Sequence, residues 1–208
     1  AVERVWSRWA DVRGFNVHEV LRYAHGRPSI ATLRDLLPDA DHEAENRIVE
    51  QAEIADVADI VPLPGVCDLL AALPHDRWAI VTSCTRALAE VRIRAAGLPI
   101  PRLFITANDI THGKPHPEPY LKGALGLGFA PEQCIVVEDA LAGIASGRNA
   151  RARVIALTTT ATIEDLLAAG PDWIVKDCSA IRLEATTPQL QLALEEIVVP
   201  AAPVTAQP

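Results

Sequence analysis

Downstream of Pro62-Leu63-Pro64-Gly65 the chain settles into a repeating texture, in which short unbroken apolar runs are separated by stretches with helical spacing. Trp78–Val81, Leu103–Ile105, Cys134–Val137, Val154–Leu157 and Trp173–Val175 each read as a strand buried on both faces. The segments at about Val66–Leu73, Arg86–Ala96, Pro119–Leu127, Ala140–Ala150 and Ile163–Ala169 read as helices. Strands that are apolar throughout and separated by helices belong to a parallel sheet covered on both sides, so the fold class is α/β. Ligands of such sheets bind beyond the C-terminal ends of the strands, and the residues directly after each strand are therefore the ones to search.

The first sixty residues differ. Val2, Val5, Trp6, Trp9 and Val12 recur at three and four, which predicts an amphipathic helix ending at Gly14. A second helix around Val17–Tyr23 runs into His25-Gly26-Arg27-Pro28, where glycine and proline force a turn. Ser29 is expected to cap a helix over Ile30–Leu37, and Asp41 to open a long acidic helix through about Ala58 whose carboxylates form a solvated face. The organisation expected is a helical unit over 1–60, an α/β unit over 61–197 with a last helix at Gln189–Ile197, and a frayed, proline-bearing tail over 198–208.

With 50% apolar and 22% charged residues in 208, the chain has enough material for a core. Lys and Arg number 19 against 27 Asp and Glu, a net charge of −8 with no basic stripe, which argues against nucleic acid or an anionic membrane as partner. No apolar run approaches membrane-spanning length. Cys67, Cys84, Cys134 and Cys178 stand far apart, form no C-x-x-C pair, and for at least three of them the expectation is a small buried hydrophobe in a reducing compartment, the cytoplasm. There is no methionine, so Ala1 is not expected to be the translation start.

Three segments can carry chemistry. The first strand runs into Thr82-Ser83-Cys84-Thr85-Arg86, hydroxyls and a guanidinium at a helix mouth, which suits an anion; plain N-capping by Ser83 or Thr85 explains the same residues equally well. Ile135–Val137 ends in Glu138-Asp139, two carboxylates at a strand tip that would repel unless a cation sits with them, and a hard ion such as Mg²⁺ suits them. Asp139 as a mere N-cap leaves Glu138 unexplained. Between them, Thr111-His112-Gly113-Lys114-Pro115-His116-Pro117-Glu118-Pro119 holds a proline-clamped lysine, fit to meet a fixed charge such as a phosphoryl group, or else an ordinary turn lysine. His112 and His116 stand at i, i+4, but Gly113, Pro115 and Pro117 forbid the helix that spacing needs, which argues against a metal pair. Gly126-x-Gly128 is a glycine pair expected in a loop, not a dinucleotide fingerprint.

A hydroxyl after a strand (Ser83), a lysine in G-K-P-x-P (Gly113 to Pro117) and Glu-Asp after a strand (Glu138, Asp139) occur in the order of the second, third and fourth motifs of the haloacid dehalogenase superfamily. Within it, Trp78 to Arg86, Phe104 to Asp109, Gly113-Lys-Pro-His-Pro-Glu-Pro-Tyr-Leu-Lys-Gly123 and Glu138-Asp-Ala-Leu-Ala-Gly143 resemble the glycerol-phosphate and 2-deoxyglucose-6-phosphate phosphatase branch, a neighbour of β-phosphoglucomutase. The resemblance spans nearly everything from Val2 to Val175. It implies a Rossmann-like core with a helical cap inserted after the first strand, and hydrolysis of small phosphorylated sugars or polyols with Mg²⁺. Asp139 would then ligate Mg²⁺ with Glu138 in support, Ser83 would hydrogen-bond the phosphoryl oxygen, and Lys114 would neutralise its charge. Thr85, Arg86 and Asn108 would add phosphate or substrate contacts, and Arg27 in the cap loop would set specificity. Cys84 stands where relatives often have glycine. A monomer is expected, since family caps close on their own cores.

One departure is large. The family's chemistry starts at D-x-D-G-[TV] on the first, central strand, where one aspartate attacks phosphorus and the other acts as general acid and base, and the 208 residues contain no such motif. That strand and its nucleophile are expected upstream of Ala1. Without them the chain alone is expected to be inactive, and binding of a phosphate ester or a partner without turnover is the alternative. Within the enzyme class the alternative is a phosphomutase, whose cap would exclude water.

Overall fold

The computed structural model describes residues 1–24, 28–187 and 189–197. Its N-terminal part is helical, with α1 (Val2–Arg13), α2 (Val17–Ala24), α3 (Ser29–Leu36) and α4 (His42–Ala55). They share a core in which Trp6, Val20, Leu33 and Val49 are almost fully buried and the Trp9 ring stacks on Phe15. Gly14, with φ 73°, closes α1 in the left-handed region that a side chain would strain. Asp41 caps α4 as expected, accepting the Ala44 N–H at 3.0 Å. Ser29 does not cap α3: the extended Pro28 holds that position, Ser29 is already helical, and its hydroxyl donates to Asn46 Oδ1 of α4. Much of the acidic face of α4 is solvated, but Glu53 is buried, and Arg4 forks onto Asp56 and Asp59 to fasten α1 to the segment beyond α4.

The α/β part follows the expected alternation. Its elements are α5 (Val66–Ala72), β1 (Ile80–Val81), α6 (Arg86–Ala95), β2 (Phe104–Ile105), α7 (Glu118–Leu127), β3 (Ile135–Glu138), α8 (Leu141–Asn149), β4 (Arg153–Leu157), α9 (Ile163–Ala169) and β5 (Trp173–Val175). All strand pairs here are parallel, but they form two pieces, β1 with β2 and β3-β4-β5, and among the described residues no ladder joins β1 to β3. Val154 to Leu157 of β4 are buried throughout, as expected for a covered central strand. On β3 that expectation fails. Val136 and Glu138 are buried, whereas Ile135 and Val137 remain 39% and 41% exposed, because α8 covers one face and little covers the other. On the covered face the approach is so close that a Cβ at Gly147 would lie 3.2 Å from Val136 and 3.0 Å from Val154.

Three further expectations are corrected. Instead of a last helix at Gln189–Ile197 there is a strand, β7 (Gln191–Leu194), antiparallel to β6 (Ile181–Ala185). Alternation decides it, since Leu192 and Leu194 pack against the cluster of Ile155, Val175 and Ile181. Of the cysteines only Cys178 is buried; Cys67 is exposed, Cys84 and Cys134 are partly so, and all four are free thiols. Gly126 lies inside α7 rather than in a loop, and Gly128, with φ 80°, ends that helix. Residues 198–208, expected to fray, lie outside the described residues. Among those described, no helix is long and apolar enough to cross a membrane.

Candidate active site

The C-terminal ends of β1 and β3 open into a cleft of about 520 Å³, roofed by residues of the first helices such as Ser29, Asn46 and Glu50, and floored by Ser83, Lys114 and Asp139 among others. The position follows from the parallel sheet, whose strand ends leave room before each chain turns into a helix. After β1, the Thr82 N–H still pairs with Ile105 O at 2.9 Å, and the Thr82 hydroxyl then accepts the Cys84 N–H at 3.2 Å, which turns the chain. Thr85 is the N-cap of α6, and its hydroxyl donates to Glu50 of α4. The capping reading thus holds for Thr85, while Ser83 lines the cleft.

Lys114 reaches into this cleft from the proline-clamped turn. Its ammonium donates to Val81 O at the end of β1, 3.2 Å away, and to Glu138 at the end of β3, so one buried cation ties the two sheet pieces together. Its Nζ also lies 4.9 Å from the centre of the Tyr120 ring. Glu138 is fully engaged by protein donors: Oε1 accepts Lys114 and the Tyr120 hydroxyl (2.6 Å), and Oε2 accepts the N–H groups of Asp139 (3.1 Å) and Ala140 (3.2 Å). Burial alone would push this carboxyl up, but the charge and hydrogen bond of Lys114, with Tyr120 and Ala140, outweigh it and hold the group below its ordinary value. Burial and the adjacent Glu138 charge push the Tyr120 phenol well up, so it acts as a donor. The carboxylate lies on Gly143 of α8, where a Cβ would come within 2.1 Å of it.

Asp139 stands at the cleft with Oδ2 accepting the hydroxyls of Thr160 and, at 3.3 Å, Thr159, in the loop after β4. Ser83, Thr85, Lys114, Glu138 and Asp139 are therefore brought together. Arg86 and Asn108 are not among the residues lining the cleft. The Arg86 guanidinium bonds Phe104 O (2.9 Å) and Asp109 (2.8 Å), and Asn108 accepts the Arg86 N–H at 2.8 Å, so they brace the β2 end against α6. Arg27 lies outside the described residues. Sequence reasoning missed Tyr120, Thr160, Glu50, Glu53 and Arg92. The run Thr158-Thr159-Thr160 directly after a strand was a usable signal for Thr160, whereas nothing local marks Glu53 on α4 and Arg92 on α6, which pair at 3.5 Å across the cleft. Burial keeps the Glu53 carboxyl above its ordinary value despite Arg92.

A buried ammonium, hydroxyls at a helix start and an aspartate meet at the ends of parallel strands under a helical roof, in an α/β protein. The chain belongs to the haloacid dehalogenase-like hydrolase family, whose model matches residues 2–151. Over 166 residues it is 44% identical to hexitol phosphatase A of Escherichia coli strain K12, covering 77% of each chain. It is 35% identical over 195 residues to glycerol-1-phosphate phosphohydrolase 2 of Saccharomyces cerevisiae, covering 88% of this chain and 78% of that one. Among solved structures, a hydrolase from Pseudomonas syringae superposes with TM-score 0.75 at 24% identity, covering 85% of this chain and 86% of the other. A β-phosphoglucomutase from Clostridium difficile gives 0.72 at 20%, covering 85% and 83%. At those identities the structural likenesses speak for the fold alone.

Proposed function

We propose that this protein is a Mg²⁺-dependent phosphatase of small sugar or polyol monophosphates, with a cap over residues 1–60 and a catalytic core over 61–197. The observation that carries the reading is Lys114, buried between Val81 O and Glu138 at the floor of the cleft beside Ser83, Thr85 and Asp139. In this reading the ammonium neutralises the transferring phosphoryl group, and Ser83 and the start of α6 donate to its oxygens. Arg86 and Asn108 act indirectly, by holding the loop that carries Thr85, and Arg27 is kept as a cap contact to substrate.

Asp139 offers a hard oxygen donor at the strand tip, which suits Mg²⁺, an ion held by one or two carboxylates and completed by phosphate and water. Glu138 does not suit a ligand role, because each of its two oxygens already accepts two protein donors and neither has a lone pair left for an ion, and it serves instead to place Lys114 and the Asp139 backbone. Bound there, the ion would supply charge neutralisation for the phosphoryl oxygens.

The attacking aspartate and its acid–base partner are proposed to lie outside the 208 residues, on a strand that pairs between β1 and β3. Among the described residues β1 and β3 each have one neighbour strand, which supports this, as do the exposed Ile135 and Val137. Hydrolysis is favoured over phosphomutase activity because the relatives of 35–44% identity are named as phosphatases, whereas the mutase likeness is at 20%. A cytoplasmic monomer fits the same reading. The test is product analysis with a panel of polyol and hexose monophosphates: free phosphate and the dephosphorylated alcohol are expected from the full-length protein and not from the 208 residues alone. An isomerised sugar phosphate would decide for the mutase, and binding without turnover by the full-length protein for a non-catalytic module.

A further inference from the structure

The turn that carries Lys114 has a second face. The glycine and prolines between His112 and His116 exclude a helix, yet the turn achieves what a helix would. The His116 N–H bonds Gly113 O at 3.0 Å, which folds the segment back and brings the two imidazole centroids to 4.6 Å. Glu118, the first residue of α7, closes the cluster. Its Oε2 lies 3.0 Å from His112 Nδ1, and one ligand atom from each of the three residues lies within 4.8 Å of the others. Both histidines are exposed, and neither they nor Glu118 line the cleft.

We propose that His112, His116 and Glu118 form a surface site for a borderline divalent transition-metal ion such as Zn²⁺, separate from the cleft. Two imidazoles and a carboxylate match such ions, whereas Mg²⁺ prefers oxygen donors throughout. A tetrahedral ion with ligands at about 2.1 Å needs donor atoms about 3.4 Å apart. The side chain of His112 is 62% exposed, so rotation of the rings can close the remaining gap. Glu118 is already placed, with Oε1 accepting the Thr111 N–H at 2.9 Å and the Lys122 ammonium at 2.9 Å, and Oε2 the His112 N–H at 2.8 Å. His116 Nδ1 accepts the Glu118 N–H at 3.2 Å, which steers that ring by its other nitrogen. An ion held here would staple the turn on both sides of Lys114 while leaving the ammonium in the cleft.

The experiment is calorimetric titration of the full chain with zinc chloride in saturating Mg²⁺, comparing wild type with His112→Ala, His116→Ala and the double variant. The expected result is one Zn²⁺ per chain in the wild type, with affinity lowered at least ~10-fold by either single change and binding lost in the double variant. As a second readout, Cu²⁺ bound to the wild type should show two-imidazole hyperfine structure in its electron paramagnetic resonance spectrum, and should lose it in the double variant. Absence of wild-type binding, or unchanged binding and spectrum in a double variant with a wild-type melting curve, would overturn the proposal.

Discussion

Replacing Gly143 by alanine sets two physical effects against each other. Gly143 is in the first turn of α8, a helix running from Leu141 to Asn149, and helix propensity alone favours alanine by ~1 kcal/mol. The structure predicts the opposite sign. The new Cβ would stand 2.1 to 2.5 Å from the Glu138 carboxylate, distances that real Cβ atoms do not show. The carboxylate cannot easily yield, since it is held by Lys114, Tyr120 and the N–H groups of Asp139 and Ala140. Displacing it loosens a buried ion pair whose rupture costs ~3–5 kcal/mol, so the net destabilisation is ~2–4 kcal/mol. For a chain of this size that is a fall in melting temperature of roughly 5–15 °C. Gly126→Ala is the control: it also lies inside a helix, but its Cβ would meet the Leu103 side chain, which can turn away. Urea unfolding followed by circular dichroism measures both. A Gly143→Ala protein as stable as wild type, or more so, would refute the claim that Glu138 is locked against α8.

Other outcomes follow from the same geometry. Tyr120→Phe removes one donor from Glu138 and leaves the ring beneath Lys114, so a loss of ~1–2 kcal/mol in urea unfolding is expected. The Glu138 carboxyl is depressed below 4.5, so its contribution is complete above that value and is lost as pH falls through its folded pKa; the stability gap between wild type and Glu138→Gln should close in acid unfolding below pH 4.5. Glu53 has the opposite sign. Its carboxyl is raised above 4.5, so its contribution is present below that pH and lost above, and Glu53→Gln should gain on wild type in melts as pH rises from 4.5.

Much of the architecture was legible because it rests on local patterns. Val154 to Leu157 reads as a covered strand and is one, and the helix read at Ile163–Ala169 has those bounds, with Thr162 as its cap and Gly170 closing it. The C-terminal hairpin was misread because Gln189 to Ile197 is too short to separate the two periods, and alternation wins only when Ile181 supplies a partner strand. In the cleft, the positions after strands led to Ser83, Thr85, Glu138 and Asp139. What the sequence could not show is direction: Arg86 turns to Asp109, and Glu138 turns onto Gly143 and Lys114. The pairing of Glu53 with Arg92 depends on how α4 docks on α6, a tertiary fact with no local signature.

The cleft around Lys114 and Asp139 is proposed to hydrolyse small phosphomonoesters with Mg²⁺. The most direct measurement is phosphate release from glycerol 1-phosphate and a hexitol phosphate by the full-length protein, with Mg²⁺ and with chelator, in wild type and Asp139→Asn. Mg²⁺-dependent turnover is expected, falling by at least ~10²-fold in the variant while its melting curve is kept. Turnover that survives both chelation and Asp139→Asn, or no release from any monophosphate offered, would contradict it.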